Sequence, residues 1–231
     1  MNIDDFKKVD LNDPKADRLD LIFARQAELM EKYDQIEVNN GFRMNCPTVP
    51  IDLNNKFGQY LLKDFAWRIT EELGEALEAF IIHQDTPQHC DEEIADGLHF
   101  LTEFTILSGT PTEMIAKADP EFYYKKDKLA ALYFLSQKEA QMMVNKRSYI
   151  ALAYRVGRFI ESLAKTCNCL KNKPWKQSQM ITDEDYFRKN LCEAWIRFIQ
   201  ICICADISSP YLFDLYFRKS EVNKFRQRSN Y

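Results

Sequence analysis

The chain has 231 residues and a mass of 27.3 kDa; it is 46% hydrophobic, 13% aromatic and 29% charged, with a net charge of −4. This composition describes a globular protein and excludes a disordered one, and the acidic balance argues against general affinity for nucleic acid or an anionic membrane. The N-terminal stretch MNIDDFKKVDLNDPKADRLDLIF has no apolar run of signal-peptide length, and no run of about 18 apolar residues occurs, so neither export nor a membrane span is expected.

Only 6 Gly and 8 Pro occur, most of them between long periodic segments, so an all-α fold in one domain covering 1–231 is expected. Leu19, Ile22, Phe23, Gln26, Leu29, Met30 and Tyr33 recur at helical spacing and place a first helix over 14–34. Residues 35–58, with NNG, two prolines and NN, read as a loop. A second helix is expected over 59–83, TPQHCD as a turn, and a third helix over 91–108 that stops at SGTPT. Residues 110–145 read as a weakly patterned helical insertion. Helices over 147–169 and 184–206 follow, separated by the polar loop KNKPWKQSQM, and a last one over 209–228. The 7 cysteines, an odd number with no CxxC spacing, read as reduced thiols of a cytoplasmic protein. The Cys-x-Cys pairs at 167/169 and 202/204 read as small buried hydrophobes in preference to zinc ligands.

The two central helix pairs resemble each other. AWRITEELGEALEA and AYRVGRFIESLAKT share their opening pattern, and EEIADGLHFLTEF and CEAWIRFIQICIC follow at similar distances. One reading is a degenerate internal repeat, packed as a four-helix bundle, in which Arg158, Phe159 and Ser162 stand near the positions of Glu71, Glu72 and Glu75. Chance similarity between amphipathic helices explains the match as well.

The chemistry concentrates in the first pair. TEELGEALEAF carries Glu71, Glu72, Glu75 and Glu78, and DEEIADGLHFL adds Asp91, Glu92, Glu93, Asp96 and His99. At about 100° per residue, Ile69, Leu73, Ala76, Leu77 and Phe80 share the core arc, while Glu72 and Glu75 point the other way. On the next helix Ile94, Leu98 and Leu101 face the core, and Glu93 and Asp96 share a stripe with His99 and Glu103. The plain alternative is two solvated acidic faces. Against it, residues 71–82 contain no basic partner, so like charges are left adjacent. Each helix also repeats a carboxylate pair at i and i+3, and two such pairs facing each other form an oxygen cage suited to Mg²⁺.

Glu72-x-x-Glu75 followed by Glu93-x-x-Asp96 resembles the ExxE…ExxD signature of the all-α nucleoside triphosphate pyrophosphohydrolases. The ending YFRKSEVNKFRQRSNY is similar to the C-terminal motif of the dimeric dUTPases, with Lys219, Asn223, Arg226, Gln227 and Tyr231 at the matching positions. Lys219, Asn223 and Arg226 lie within about 60° on a helix, so one amide and two cations can meet one ligand. The family's Asp-x-x-His-Phe extension is present as Asp96, His99 and Phe100; the resemblance implies that these approach sugar and base, with Phe100 stacking on a pyrimidine. Gln26 and Leu29 match the family's base-reading motif, but Met30 stands where Asn is expected, which puts strict uracil selectivity in question. A Lys/Trp-rich element that such enzymes often carry between the acidic motifs is absent, and KPWK at 173–176 reads as a surface loop.

The resemblance implies a Mg²⁺-dependent homodimer that converts dUTP to dUMP and pyrophosphate, with dCTP left open as a second substrate by Met30. Glu72, Glu75, Glu93 and Asp96 would hold metal, Glu75 or Glu71 would accept the water's proton, and Gln26, Asp96, His99, Phe100, Lys219, Asn223 and Arg226 would bind substrate. Two alternatives stand beside it: a pyrophosphohydrolase of the same fold acting on another nucleotide, and a non-catalytic helical adaptor that uses its charged faces for partners.

Overall fold

The computed structural model describes residues 3–42, 45–82, 87–116, 127–140 and 148–229, and among these the regular structure is helical throughout. In chain order the helices are α1 (Ile3–Phe6), α2 (Arg18–Asn39), α3 (Lys56–Ile82), α4 (Pro87–Leu107), α5 (Thr112–Ala116), α6 (Lys128–Ala140), α7 (Tyr149–Asn168), α8 (Glu184–Cys204) and α9 (Ser209–Ser229). The all-α expectation is met, and the helix boundaries differ for local reasons. α2 starts at Arg18 and not at 14, because the Asp17 side chain accepts hydrogen bonds from the N–H groups of Leu19 and Asp20. It continues to Asn39, into the segment expected to be loop, and ends where Gly41 takes up a φ of 75°. α3 begins at Lys56, where the Asn55 carboxamide accepts from the N–H groups of Phe57 and Gly58. α4 begins at Pro87, inside the expected turn, since proline suits the first helical position.

α3 and α4 run antiparallel, with Phe65 beside Phe100 and Glu72 beside Gly97. α7 and α8 do the same, with Phe159 edge-on to Phe198 at 5.6 Å and Arg155 bonded to Gln200. The structure does not establish that one pair is a copy of the other. α8 sits at the centre of the core: Phe187, Leu191, Ala194, Trp195, Phe198 and Ile199 are fully buried, and the Trp195 indole N–H donates to Thr105 Oγ1 of α4 at 3.0 Å. Each such large apolar side chain contributes about 1.5–3 kcal/mol of transfer free energy.

Of the segment expected to be an insertion, 110–145, residues 117–126 and 141–145 lie outside the described residues, and α5 and α6 contribute to this core. Leu129 and Leu132 of α6 are fully buried, and the Tyr133 hydroxyl donates to the carbonyl of Ile207. Lys128, 6% exposed, joins Asp20 of α2 at 2.6 Å to Glu113 of α5 at 2.9 Å. α9 lies along α2 in the same direction, tied to it by Arg25 with Glu221 at 2.8 Å and Lys224 with Glu28 at 2.7 Å. This placement brings the C-terminal helix against α4. No described helix is long and apolar enough to cross a membrane.

Candidate active site

The acidic face of α3 is solvated only in part: Glu71, Glu75 and Glu78 are exposed. Ile69, Leu73 and Ala76 occupy the core as their spacing dictates, and Glu72 is half-buried, because α4 covers the flank of α3 next to that arc. The two helices pack closely at Gly97: a Cβ there would stand 3.5 Å from the Phe198 ring, 3.7 Å from the Glu72 Cβ and 3.8 Å from Leu73, ordinary contact distances that an alanine would fill.

At this contact Glu72, Glu75 and Glu93 each offer a carboxylate oxygen, and the three oxygens lie within 4.8 Å of one another. Burial, reinforced by the negative charges of Asp96, Glu75 and Glu93, pushes the Glu72 carboxyl up to about 8. Glu93 is 8% exposed, and its carboxyl is likewise raised by burial and by Asp96, although His89 Nδ1 stands 3.3 Å away. An all-oxygen donor set with uncompensated mutual repulsion is one that a hard divalent cation relieves, so these residues fit Mg²⁺.

Asp96, expected as a fourth ligand, adjoins Glu72 but is not one of the three carboxylates within 4.8 Å of one another. Its carboxylate meets Lys219 Nζ at 2.6 Å, because α9 crosses α4 there; Glu92 is 3.9 Å from the same ammonium. Burial raises the Asp96 carboxyl, and Lys219 opposes that shift. Glu71 is exposed and stands outside the cluster.

Beside the carboxylates opens a cavity of about 280 Å³. α2 contributes Gln26, Leu29, Tyr33, Asp34 and Glu37; α3 contributes Phe65, Arg68 and Glu72; α4 contributes Asp96, His99, Phe100 and Glu103; and α9 contributes Asn223 and Arg226. The motif residues of the C-terminal helix therefore reach the site from the far end of the sequence. Phe100 packs on Phe65 with ring centroids 6.2 Å apart, and the Arg68 guanidinium lies 4.9 Å from the Phe65 centroid and 5.8 Å from that of Phe100. Tyr231 lies outside the described residues. Met30 is 1% exposed and packs in the core, so the position where Asn was expected does not face the cavity. The 173–176 loop contributes nothing to the cavity either; Trp175 is 75% exposed.

Gln26 and His99 belong to a buried network. Gln26 Oε1 accepts from the Tyr216 hydroxyl at 2.8 Å and meets His99 Nδ1 at 2.9 Å, while Gln26 Nε2 donates to Glu103 Oε2 at 2.8 Å. The His99 ring stacks on Tyr216 at 4.0 Å between centroids. Burial depresses the imidazole to about 3, so it is neutral and, with its proton on Nδ1, donates to Gln26. Burial, together with the charges of Asp34 and Glu37, pushes the Glu103 carboxyl up to about 8.

Arg68, Tyr33 and Tyr216 carried no expected role, and Glu103 appeared only as a member of the α4 stripe. Spacing held the signal for two of them, since Arg68 precedes Glu72 by one helical turn and Glu103 follows His99 by one. Tyr216 had none, because nothing local ties it to α4.

No curated protein and no solved structure matches this chain. A family model for dUTPase does match, over residues 69–231, which takes in both acidic motifs, the α5–α6 region and the whole of α9 while leaving Gln26 outside. With acidic motifs that converge and a C-terminal motif folded back onto them, the chain belongs to the all-α dUTPase family.

Proposed function

We propose that this protein is a Mg²⁺-dependent diphosphatase that hydrolyses dUTP to dUMP and pyrophosphate. The observation that carries the reading is the meeting of Glu72, Glu75 and Glu93 within 4.8 Å beside a cavity lined by aromatic side chains, by Arg68 and Arg226 and by further carboxyls. Those three carboxylates would hold the metal, which supplies neutralisation of the triphosphate and polarisation of the phosphoryl group under attack. Asp96 acts at its other contact, keeping the Lys219 ammonium beside the acidic cluster.

Glu75 takes the proton from the attacking water as oxygen bonds to the α-phosphorus and the link to the β-phosphate breaks. It is preferred to Glu71 because it lies within the cluster and Glu71 does not. Lys219 and Arg226 offset the charge gathering on the departing pyrophosphate. Phe100 supplies the face on which the pyrimidine stacks, and Asn223 an amide for the sugar–phosphate portion.

The chain is proposed to act as a single domain, in the cytoplasm and as a homodimer. The exposed stripe of Phe57, Tyr60 and Trp67 along α3 offers apolar surface for a second copy to cover. Light scattering should then give about twice 27.3 kDa. For the activity, the test is pyrophosphate release from each canonical deoxynucleoside triphosphate with and without Mg²⁺. Release from dUTP that EDTA stops supports the reading; an enzyme active on purine substrates alone, or on none, would end it.

A further inference from the structure

The cavity has two ends. Along α4, Glu103 follows Asp96 by two turns, a rise of about 10 Å. Glu72 and Asp96 mark the end where phosphates belong, and Phe100 and Glu103 mark the other. A nucleotide whose base lies on Phe100 turns its hydrogen-bonding edge toward Glu103.

Gln26 has little capacity left to read that edge itself. Its carbonyl oxygen already takes Tyr216 and His99, and its amide nitrogen holds Glu103, so its orientation is fixed by partners on three sides. Glu103 is different. It is 9% exposed, lines the cavity, and spends one oxygen on Gln26; Oε1 has no hydrogen-bond partner among the described residues.

We propose that Glu103, oriented by Gln26 as its positioning residue, is the group that reads the pyrimidine ring and that it accepts uracil and cytosine alike. The inference rests on the cavity being a nucleotide site. Because Gln26 donates to Oε2, that oxygen keeps its carbonyl character, and the acid proton resides on Oε1. A neutral carboxylic acid then presents one donor beside one acceptor. Uracil receives the Oε1 proton at O2 and donates N3–H to Oε2. Cytosine, slid by one ring position along the same edge, receives it at N3 and donates its amino group to Oε2. An ionised Glu103 would set a negative charge against uracil O2.

The groups around Glu103 set its protonation. Tyr33, Asp34 and Glu37 face the site from α2, Arg68 from α3, His99 from its own helix, and Tyr216 and Arg226 from α9. Burial first, then Asp34 and Glu37, favour the neutral acid, while Gln26 and Arg68 oppose it.

The test compares wild type with E103A, E103Q and Q26M, using dUTP and dCTP as substrates and inorganic tripolyphosphate as a base-free competitor. Wild type should hydrolyse both pyrimidine substrates and lose affinity for dUTP above about pH 8. E103A should raise KM for both by roughly ten-fold or more, leaving inhibition by tripolyphosphate unchanged. E103Q, whose amide mimics the neutral acid, should recover most of that loss and flatten the alkaline limb. Q26M removes a hydrogen bond that favours the carboxylate, so its limb should move to higher pH. The inference is overturned if E103A leaves KM unaltered or weakens tripolyphosphate equally, if E103Q keeps the limb, if Q26M leaves it in place, or if dUTP is hydrolysed and dCTP is not. A wild type that hydrolyses neither substrate would instead defeat the proposed function, and this inference with it.

Discussion

α3/α4 and α7/α8 are both antiparallel helix pairs packed about the same core, and they treat charge in opposite ways. Where α3 sets Glu72 and Glu75 against α4, the corresponding part of α7 turns Phe159 and Ser162 inward, with Phe159 fully buried against Phe198. Where α4 carries Asp96, His99 and Glu103, α8 carries Ile196, Ile199 and Ile203. The charges on the second pair are matched: Glu161 accepts from Lys165 at 2.6 Å and from Arg158, and Glu193 pairs with Arg197. Those of the first pair face one another without such partners on α3 below Arg68. Identical packing logic therefore serves stability in one place and stores electrostatic repulsion in the other, where a bound cation can relieve it.

The largest effect that tests this contrast is on activity. Glu72→Gln or Asp96→Asn is expected to lower dUTP hydrolysis by roughly a hundred-fold or more, with the helical circular dichroism signal retained. An active double mutant would remove the first pair from the chemistry. The counterpart on the second pair should act on stability instead: Phe159→Ala is expected to cost about 3–5 kcal/mol in chemical denaturation. The folded fraction should keep its KM, and a raised KM would mean that the two pairs are not separable.

Smaller effects sharpen the picture. Lys219→Ala is expected to weaken triphosphate binding about ten-fold in titration calorimetry and nucleoside binding much less, since the proposed function sets the ammonium against the phosphates and not the nucleoside. Equal losses would mean that α9 does not reach the phosphate chain. Finally, Glu72 and Glu103 have carboxyls raised from 4.5 to about 8, so the folded protein holds protons that the unfolded chain releases. Their contribution is therefore present below pH 4.5 and lost as pH rises toward 8, and thermal stability in EDTA should decline across that window. Glu72→Gln should flatten the decline and raise Tm by roughly 2–4 °C for each kcal/mol of repulsion removed. An unchanged profile would show that the carboxylates do not repel as their spacing implies.

Much of the site was legible because its residues follow helical periodicity. Glu72, Glu75 and Glu93 could be picked out from spacing, as could the common face of Lys219, Asn223 and Arg226. What spacing misjudged was exposure. Glu72 falls opposite the core arc on an isolated helix, yet a neighbouring helix covers it. Asp96 fits the metal motif by position, and its carboxylate is engaged by a lysine from the far end of the chain. Gln26 was expected at the base from its place in the family's motif; it lines the cavity, and its hydrogen bonds go to Tyr216, His99 and Glu103, which the motif does not encode. The 110–145 segment read as an insertion because its pattern is weak; among its described residues Ile115, Leu129 and Leu132 are buried, and Lys128 links α6 to Asp20 of α2 and Glu113 of α5.

The amino-acid order by itself determined the helices, their apolar faces, and which carboxylates and cations could act together, since those depend on a repeat of 3.6 residues along one element. Only the tertiary structure decided which of them meet. α4 packs on α3 at Gly97, and the course of α9 along α2 brings Asn223 and Arg226 to the cavity, Lys219 to Asp96 and Tyr216 to Gln26 and His99. The contacts of α9 join residues more than a hundred positions apart, and no local period encodes them.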